Sequence, residues 1–166
     1  GWGPGLIGIS LACYGLGVAF VQGLIIRLHY VRNIQPQKIV IYSLLVGSIT
    51  LFGFGSIKTA WLVFALIPIA VLTELMNPTL DSFISNKVSD DTQGLLQGIL
   101  SSINAITTIL SPLLMTLLFK IGASPKNDYY VPGLPFYFAA ILLLICIIPI
   151  LRVMNSLEHA KKRKIK

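Results

Sequence analysis

The stretch that decides the reading of this chain is TQGLLQGILSSINAITTILSPLLMTLLF, Thr92 to Phe119, which contains no charged residue. A helix needs about 20 mostly apolar residues to cross the hydrocarbon core of a bilayer, and this run exceeds that length. It also carries a periodic set of polar side chains. Gln93, Gln97, Ser101, Asn104, Thr108 and Ser111 are spaced by four, four, three, four and three residues, which places them on one stripe of an α-helix. Gly94 and Gly98 form a small-residue pair beside the stripe. The expectation is a membrane helix that packs closely by its glycines and turns its polar edge inward. Asp90 or Asp91 is expected to cap its N-terminus. Simple interhelix hydrogen bonding suffices for the serines and threonines. For Gln97 and Asn104, lining a path and holding helices together stand as equal readings.

The rest of the chain follows the same pattern. Charges are absent from Leu6–Ile26, Ile39–Ile57, Ala60–Thr73 and Tyr129–Leu151, and the third of these blocks continues to Leu80 apart from Glu74. Over all 166 residues the chain is 55% hydrophobic and only 11% charged, with mean hydropathy +0.82. A soluble domain carries about 25% charged residues, so a water-facing surface cannot be built from this set. Continuous apolar blocks exclude the roughly 10-residue alternating strands of a membrane barrel. The fold class read here is an all-α polytopic membrane protein with five transmembrane helices, at 5–27, 38–58, 60–84, 91–119 and 133–154. Residues 1–154 form one helical unit and 155–166 a basic cytoplasmic tail. The first block lacks the basic front end of a signal peptide and is too long for one. A start at Gly1 rather than Met leads us to expect residues upstream.

Charge sets the orientation. Arg27, Arg32, Lys38, Lys87, Arg152, Lys161, Lys162, Arg163, Lys164 and Lys166 fall on one face, which makes 10 of the 13 basic residues; Lys58, Lys120 and Lys126 fall on the other. The positive-inside rule puts the first group in the cytoplasm, so the Gly1 end is outside and the Lys166 end inside, in a plasma (inner) membrane. The tail HAKKRKIK reads as a topology anchor near anionic headgroups. The net charge of +7 then needs no nucleic acid partner. Cys13 and Cys146 are dispersed within helices, and His29 and His159 lie far apart, so no metal site or cofactor is expected. Paired carboxylates and Ser-Lys or His clusters at useful spacing are also missing, which argues against an enzyme.

The polar residues are unevenly shared. The second and fifth helices hold no strongly polar group and read as lipid-facing over much of their circumference. The first carries Gln22 among several glycines. The third carries Glu74, Asn77 and Pro78, then Asp81. Glu74 falls about 14 residues into its segment, near or past the middle at ~1.5 Å per residue. An ionisable group at that depth is costly and faces a bundle interior or a water-filled path. Two readings stand: proton coupling, or a hydrogen-bonded glutamate that holds neighbouring helices. Asn77 shares its face. Asp81 is expected near the cytoplasmic boundary, paired with Arg27, Lys87 or another loop base.

These residues carry a resemblance. NPTLDSFISNKVSDDTQGLLQGILSSINAITTILSPLLMTLLF, Asn77 to Phe119, resembles the tetracycline-efflux type of major facilitator transporter in its Pro-x-Leu, its QGxLQG and its later Pro-Leu-Leu at Pro112. GWGPGLIGISLACYGLG (Gly1 to Gly17) and WLVF (Trp61 to Phe64) are similar to other parts of the same family. The resemblance covers nearly the whole chain in one register. It implies a twelve-helix fold of two halves, of which this chain would supply helices eight to twelve. A seventh helix and the N-terminal half would be partners, alongside the lipid bilayer, a small-molecule substrate and a proton. It further implies alternating access in a drug:proton antiporter. Their own placement, not a family motif, makes Gln22, Glu74, Asn77, Gln97 and Asn104 the residues expected on the pathway, and Glu74 in particular matches no motif of the family. Arg27, Lys38, Asp81, Gln93, Gly94, Gly98 and Pro112 would serve gating or packing. Arg27 and Lys38 match basic positions of the family's gating loop, although RLHYVRNIQPQK lacks that loop's glycine and acid. The alternative is a non-transporting membrane remnant, or a subunit that needs a partner half.

Overall fold

The computed structural model describes residues 3–24, 34–57, 59–86, 88–124 and 130–165. Arg27, expected to gate, and Lys87 lie outside the described residues. Among the described residues, six α-helices follow one another: α1 (Pro4–Gly23), α2 (Pro36–Ser56), α3 (Ala60–Thr73), α4 (Met76–Ser85), α5 (Asp90–Gly122) and α6 (Leu134–Ile165). They provide five spans long and apolar enough to cross a membrane, with α3 and α4 together forming the third, Trp61–Ser85. The expected all-α polytopic class is therefore observed.

The expected single helix over 60–84 is in fact broken. Its cause is Pro78, which has no N–H to donate to the Glu74 carbonyl and whose ring crowds that carbonyl. The chain tightens there: the Glu74 N–H donates to the Val71 carbonyl at 3.1 Å and the Leu75 N–H to that of Leu72 at 3.4 Å, each three residues back. Helical bonding resumes with the Thr79 N–H on the Leu75 carbonyl at 3.3 Å.

Packing within this chain departs from two expectations about which helices sit inside. α2, expected to face lipid over much of its surface, is the most enclosed helix: 33% of its span is buried, against none (0%) of α5. It lies against α3, α4 and α6. Side-chain size explains this better than polarity. Ser43, Gly47, Ser48 and Thr50 are buried on α2, and Ala140 of α6 is fully buried opposite them. Without a hydrophobic drive between helices in lipid, small residues let backbones approach and so define the contact. The Ser48 hydroxyl donates across this seam to the Ala140 carbonyl at 3.0 Å. α6 is otherwise mostly exposed, as expected.

α5 is the reverse case. Its polar stripe is exposed along its whole length, and among the described residues no atom outside its own helix lies within 4 Å of where a Cβ would stand on Gly94 or Gly98. The inward turn and close glycine packing are thus not made within this chain. The helix meets α6, and near its end the Val131 N–H donates to the Gly122 carbonyl at 2.8 Å. At 32 residues its span is ~48 Å long at 1.5 Å per residue, longer than the ~30 Å core, so it tilts or projects beyond it. Two boundaries also differ. Ser89, not Asp90 or Asp91, occupies the N-cap of α5. α6 continues past the expected end at 154 to Ile165, because NSLEHAKKRKI has no glycine or proline to stop it and is rich in good helix formers.

α1 joins the bundle through α3. Val21, Ile67 and Val71 form a buried cluster, with Tyr14, Val18, Phe64 and Leu75 packed around it.

Candidate functional site

Two polar groups lie at mid-span and meet. Tyr14 is near the centre of α1 and Glu74 near the centre of the Trp61–Ser85 span. The Tyr14 hydroxyl donates to Glu74 Oε1 at 2.5 Å. Asn77 Nδ2 donates to Glu74 Oε2 at 3.2 Å. Each carboxylate oxygen therefore has its own donor, one from a neighbouring helix and one from the turn after the break.

Local sequence builds this arrangement. Pro78 interrupts the helix one turn after Glu74, so the glutamate stands at the C-terminal end of α3, where the backbone changes course. Asn77, three residues on, remains on the same face across the break. On α1, Gly17 keeps the approach to α3 short. A Cβ placed there would stand 2.8 Å from Val71 Cγ2, so a larger residue would push α1, and Tyr14 with it, away from Glu74.

The cluster borders a groove of about 400 Å³ whose walls include Tyr14, Ser43, Thr50, Thr73, Glu74 and Asn77. Its remaining lining is mostly apolar or aromatic, with Phe54, Phe136 and Leu143 among it. Solute sites are commonly of this size and character, largely apolar with a few convergent polar groups.

Of the described residues singled out from sequence, only Glu74 and Asn77 are brought together. Gln22 is exposed in the last turn of α1, about 12 Å along the helix from Tyr14 at ~1.5 Å per residue. Asp81 is exposed on α4; its expected partners Arg27 and Lys87 lie outside the described residues. Lys38 is exposed in the first turn of α2. On α5, Gln97 Nε2 reaches the Ser85 hydroxyl at 3.4 Å, a long bond to the end of α4. The Asn104 side chain is exposed, while its carbonyl accepts the hydroxyls of Thr107 and Thr108 at 3.0 and 2.8 Å. Gln93, Gly94, Gly98 and Pro112 are exposed.

Tyr14 was missed by the sequence reading. A signal for it exists: a phenol at mid-membrane needs a hydrogen-bond partner, and Glu74 is the ionisable group at matching depth.

The Major Facilitator Superfamily profile matches residues 1–166. Among curated proteins, the chain is 27% identical over 144 residues to the class E tetracycline resistance protein of Escherichia coli, covering 86% of this chain and 35% of that one. It is 27% identical over 151 residues to the class C protein of the same organism, covering 91% and 36%. It is 29% identical over 107 residues to hippocampus abundant transcript-like protein 1 of Mus musculus, covering 56% and 21%. The chain thus spans about a third of the length of the two bacterial relatives. No solved structure matches it.

Proposed function

The chain belongs to the major facilitator superfamily, and from that premise we propose that it forms part of a proton-coupled secondary transporter exporting a drug-like or small organic solute by alternating access. The observation that carries the reading is the mid-span Tyr14–Glu74–Asn77 cluster on the wall of a groove. The names of the bacterial relatives, tetracycline resistance proteins, favour a drug-like cargo moving outward.

Glu74 is the proton carrier in this reading. As a carboxylate it accepts from Tyr14 and Asn77. When it takes up a proton, one of its oxygens becomes a donor. The phenol oxygen can then accept, and the Asn77 amide can turn its oxygen inward, since both side chains carry donor and acceptor functions. The cluster therefore satisfies both protonation states without leaving a mid-membrane group unpaired. Alternating access also needs a second bundle to rock against. The stripe of α5, with Gln97 and Asn104, would line the path facing that complementary half, and Gln22 would extend it on α1. In this reading the Lys166 end is cytoplasmic and the Gly1 end outside a plasma (inner) membrane, an orientation favoured by the basic residues of the sequence under the positive-inside rule.

The test uses membrane vesicles containing the full-length protein. A pH gradient should drive solute movement, and Glu74→Gln should abolish that while solute exchange at equal pH persists, because glutamine keeps hydrogen bonding but carries no proton. Gradient-driven transport that survives Glu74→Gln would remove Glu74 from coupling. The unpartnered face of α5 favours a second reading, a non-transporting subunit that requires a partner half. That reading gains if neither gradient nor exchange moves solute while the chain still co-purifies with another membrane protein.

A further inference from the structure

A second cavity, of about 230 Å³, opens between the ends of α2, α4 and α6. Its lining, which includes Gln37, Val40, Leu80, Ile84, Pro149 and Val153, is almost wholly apolar. These residues start α2 and end α4 and the α6 span, so the cavity lies at one end of the bundle. Among the described residues, Lys38 and Arg152 fall at that end. Away from it, nearer mid-span, α2 and α6 are held together by the Ser48 hydroxyl on the Ala140 carbonyl.

We propose that this crevice is a binding site for one acyl chain of an anionic phospholipid, with the headgroup held by Lys38 and Arg152. Lys38 adjoins Gln37 on α2, and Arg152 adjoins Val153 on α6; both are exposed. Asp81, beside Leu80 on α4, is also exposed, so the described charges around the mouth are two cations against one carboxylate. An apolar slot offers an acyl chain more contact than a smooth helix face. Basic residues at its mouth add selectivity for an anionic headgroup, because juxtamembrane lysines and arginines attract such lipids. Charge complementarity is what separates this occupant from an ordinary zwitterionic lipid, which would fit the slot as well but gain nothing at its rim.

The test measures lipid retention, not transport, so it stands or falls separately from the proton reading. The full-length protein is placed in nanodiscs with equal phosphatidylglycerol and phosphatidylcholine and transferred to detergent. Retained lipid is then counted by mass spectrometry. The wild type should retain phosphatidylglycerol in preference. Lys38→Gln and Arg152→Gln, exposed substitutions that leave the bundle intact, should each reduce that preference, by up to roughly fivefold per basic residue. Ile84→Trp, which fills the slot, should lose the retained lipid altogether. A chain ended after Val153 should keep the preference. Equal retention of both lipids by the wild type overturns the proposal. So does a preference that survives both glutamine substitutions or disappears with the tail.

Discussion

Gly133→Ala and Gly94→Ala are chemically the same change, and the structure assigns them opposite signs. At Gly133, just before α6, an added Cβ would run into the carbonyl oxygen of Gly55 at the end of α2, with the Gly55 carbonyl carbon at 2.7 Å and its Cα at 2.8 Å. All three neighbours are backbone, so no side chain can rotate away. Relief requires α6 to move off α2, the two helices that share the tightest seam. Overpacking costs ~1–3 kcal/mol, and a backbone obstacle puts this case near the top, at about 3 kcal/mol. Gly94 is different. Among the described residues nothing outside its helix lies within 4 Å of the new atom, and replacing a helix-interior glycine by alanine gains roughly 0.5–1 kcal/mol. The two variants should therefore differ by about 4 kcal/mol, approaching a thousandfold in the folded-to-unfolded ratio. Unfolding of this chain by sodium dodecyl sulfate in mixed micelles, followed by circular dichroism, reads the difference directly. Two variants within about 1 kcal/mol of each other would refute the α2–α6 packing. If the same pair is measured in a protein containing the complementary half, Gly94→Ala should turn destabilising, because the proposed partner surface would then meet it.

Tyr14→Phe keeps the ring but removes the donor to Glu74. A hydrogen bond to a charged group contributes about 1.5–3 kcal/mol, so stability should fall by an amount in that range when Glu74 is ionised. In Glu74→Gln the same change should cost less, and an equal loss in both backgrounds would show that the phenol matters for packing alone. Ser48→Ala removes only the bond to Ala140 and should cost about 0.6 kcal/mol, the average for membrane interhelix bonds. Ser48→Leu must separate α2 from α6 and should prevent a stable fold, as measured by retention in a monodisperse peak after detergent extraction.

The spans were legible because length and charge are what a bilayer selects. The second segment, expected over 38–58, forms Pro36–Ser56, and the first, expected over 5–27, forms Pro4–Gly23. What failed was the ranking of helices by polarity. Ser43, Gly47 and Ser48 are weak polar signals but strong size signals, and size determines which helix becomes the hub. α5 shows the converse. Its six polar residues do share a stripe, but periodicity specifies a face of a helix and not what lies opposite. Pro78 was visible in the sequence, yet hydropathy counts side chains and ignores backbone bonds, so the third span read as continuous. Tyr14 was hidden among apolar residues because its ring counts as apolar while its hydroxyl does not.

The break between α3 and α4 also has a mechanical side. A continuous helix crossing both leaflets behaves as a stiff rod, so a tilt at one end must reappear at the other. Here α3 is anchored to α1 by Val21, Ile67 and Val71, while α4 begins afresh two residues after Glu74 and lies against α2. Replacing regular bonds by the tighter pair at Glu74 and Leu75 puts a joint in the rod near the middle of the bilayer. The half-span in one leaflet can swing while the other stays fixed. Glu74 sits at the joint, where a small change of angle displaces the far end of the half-span most.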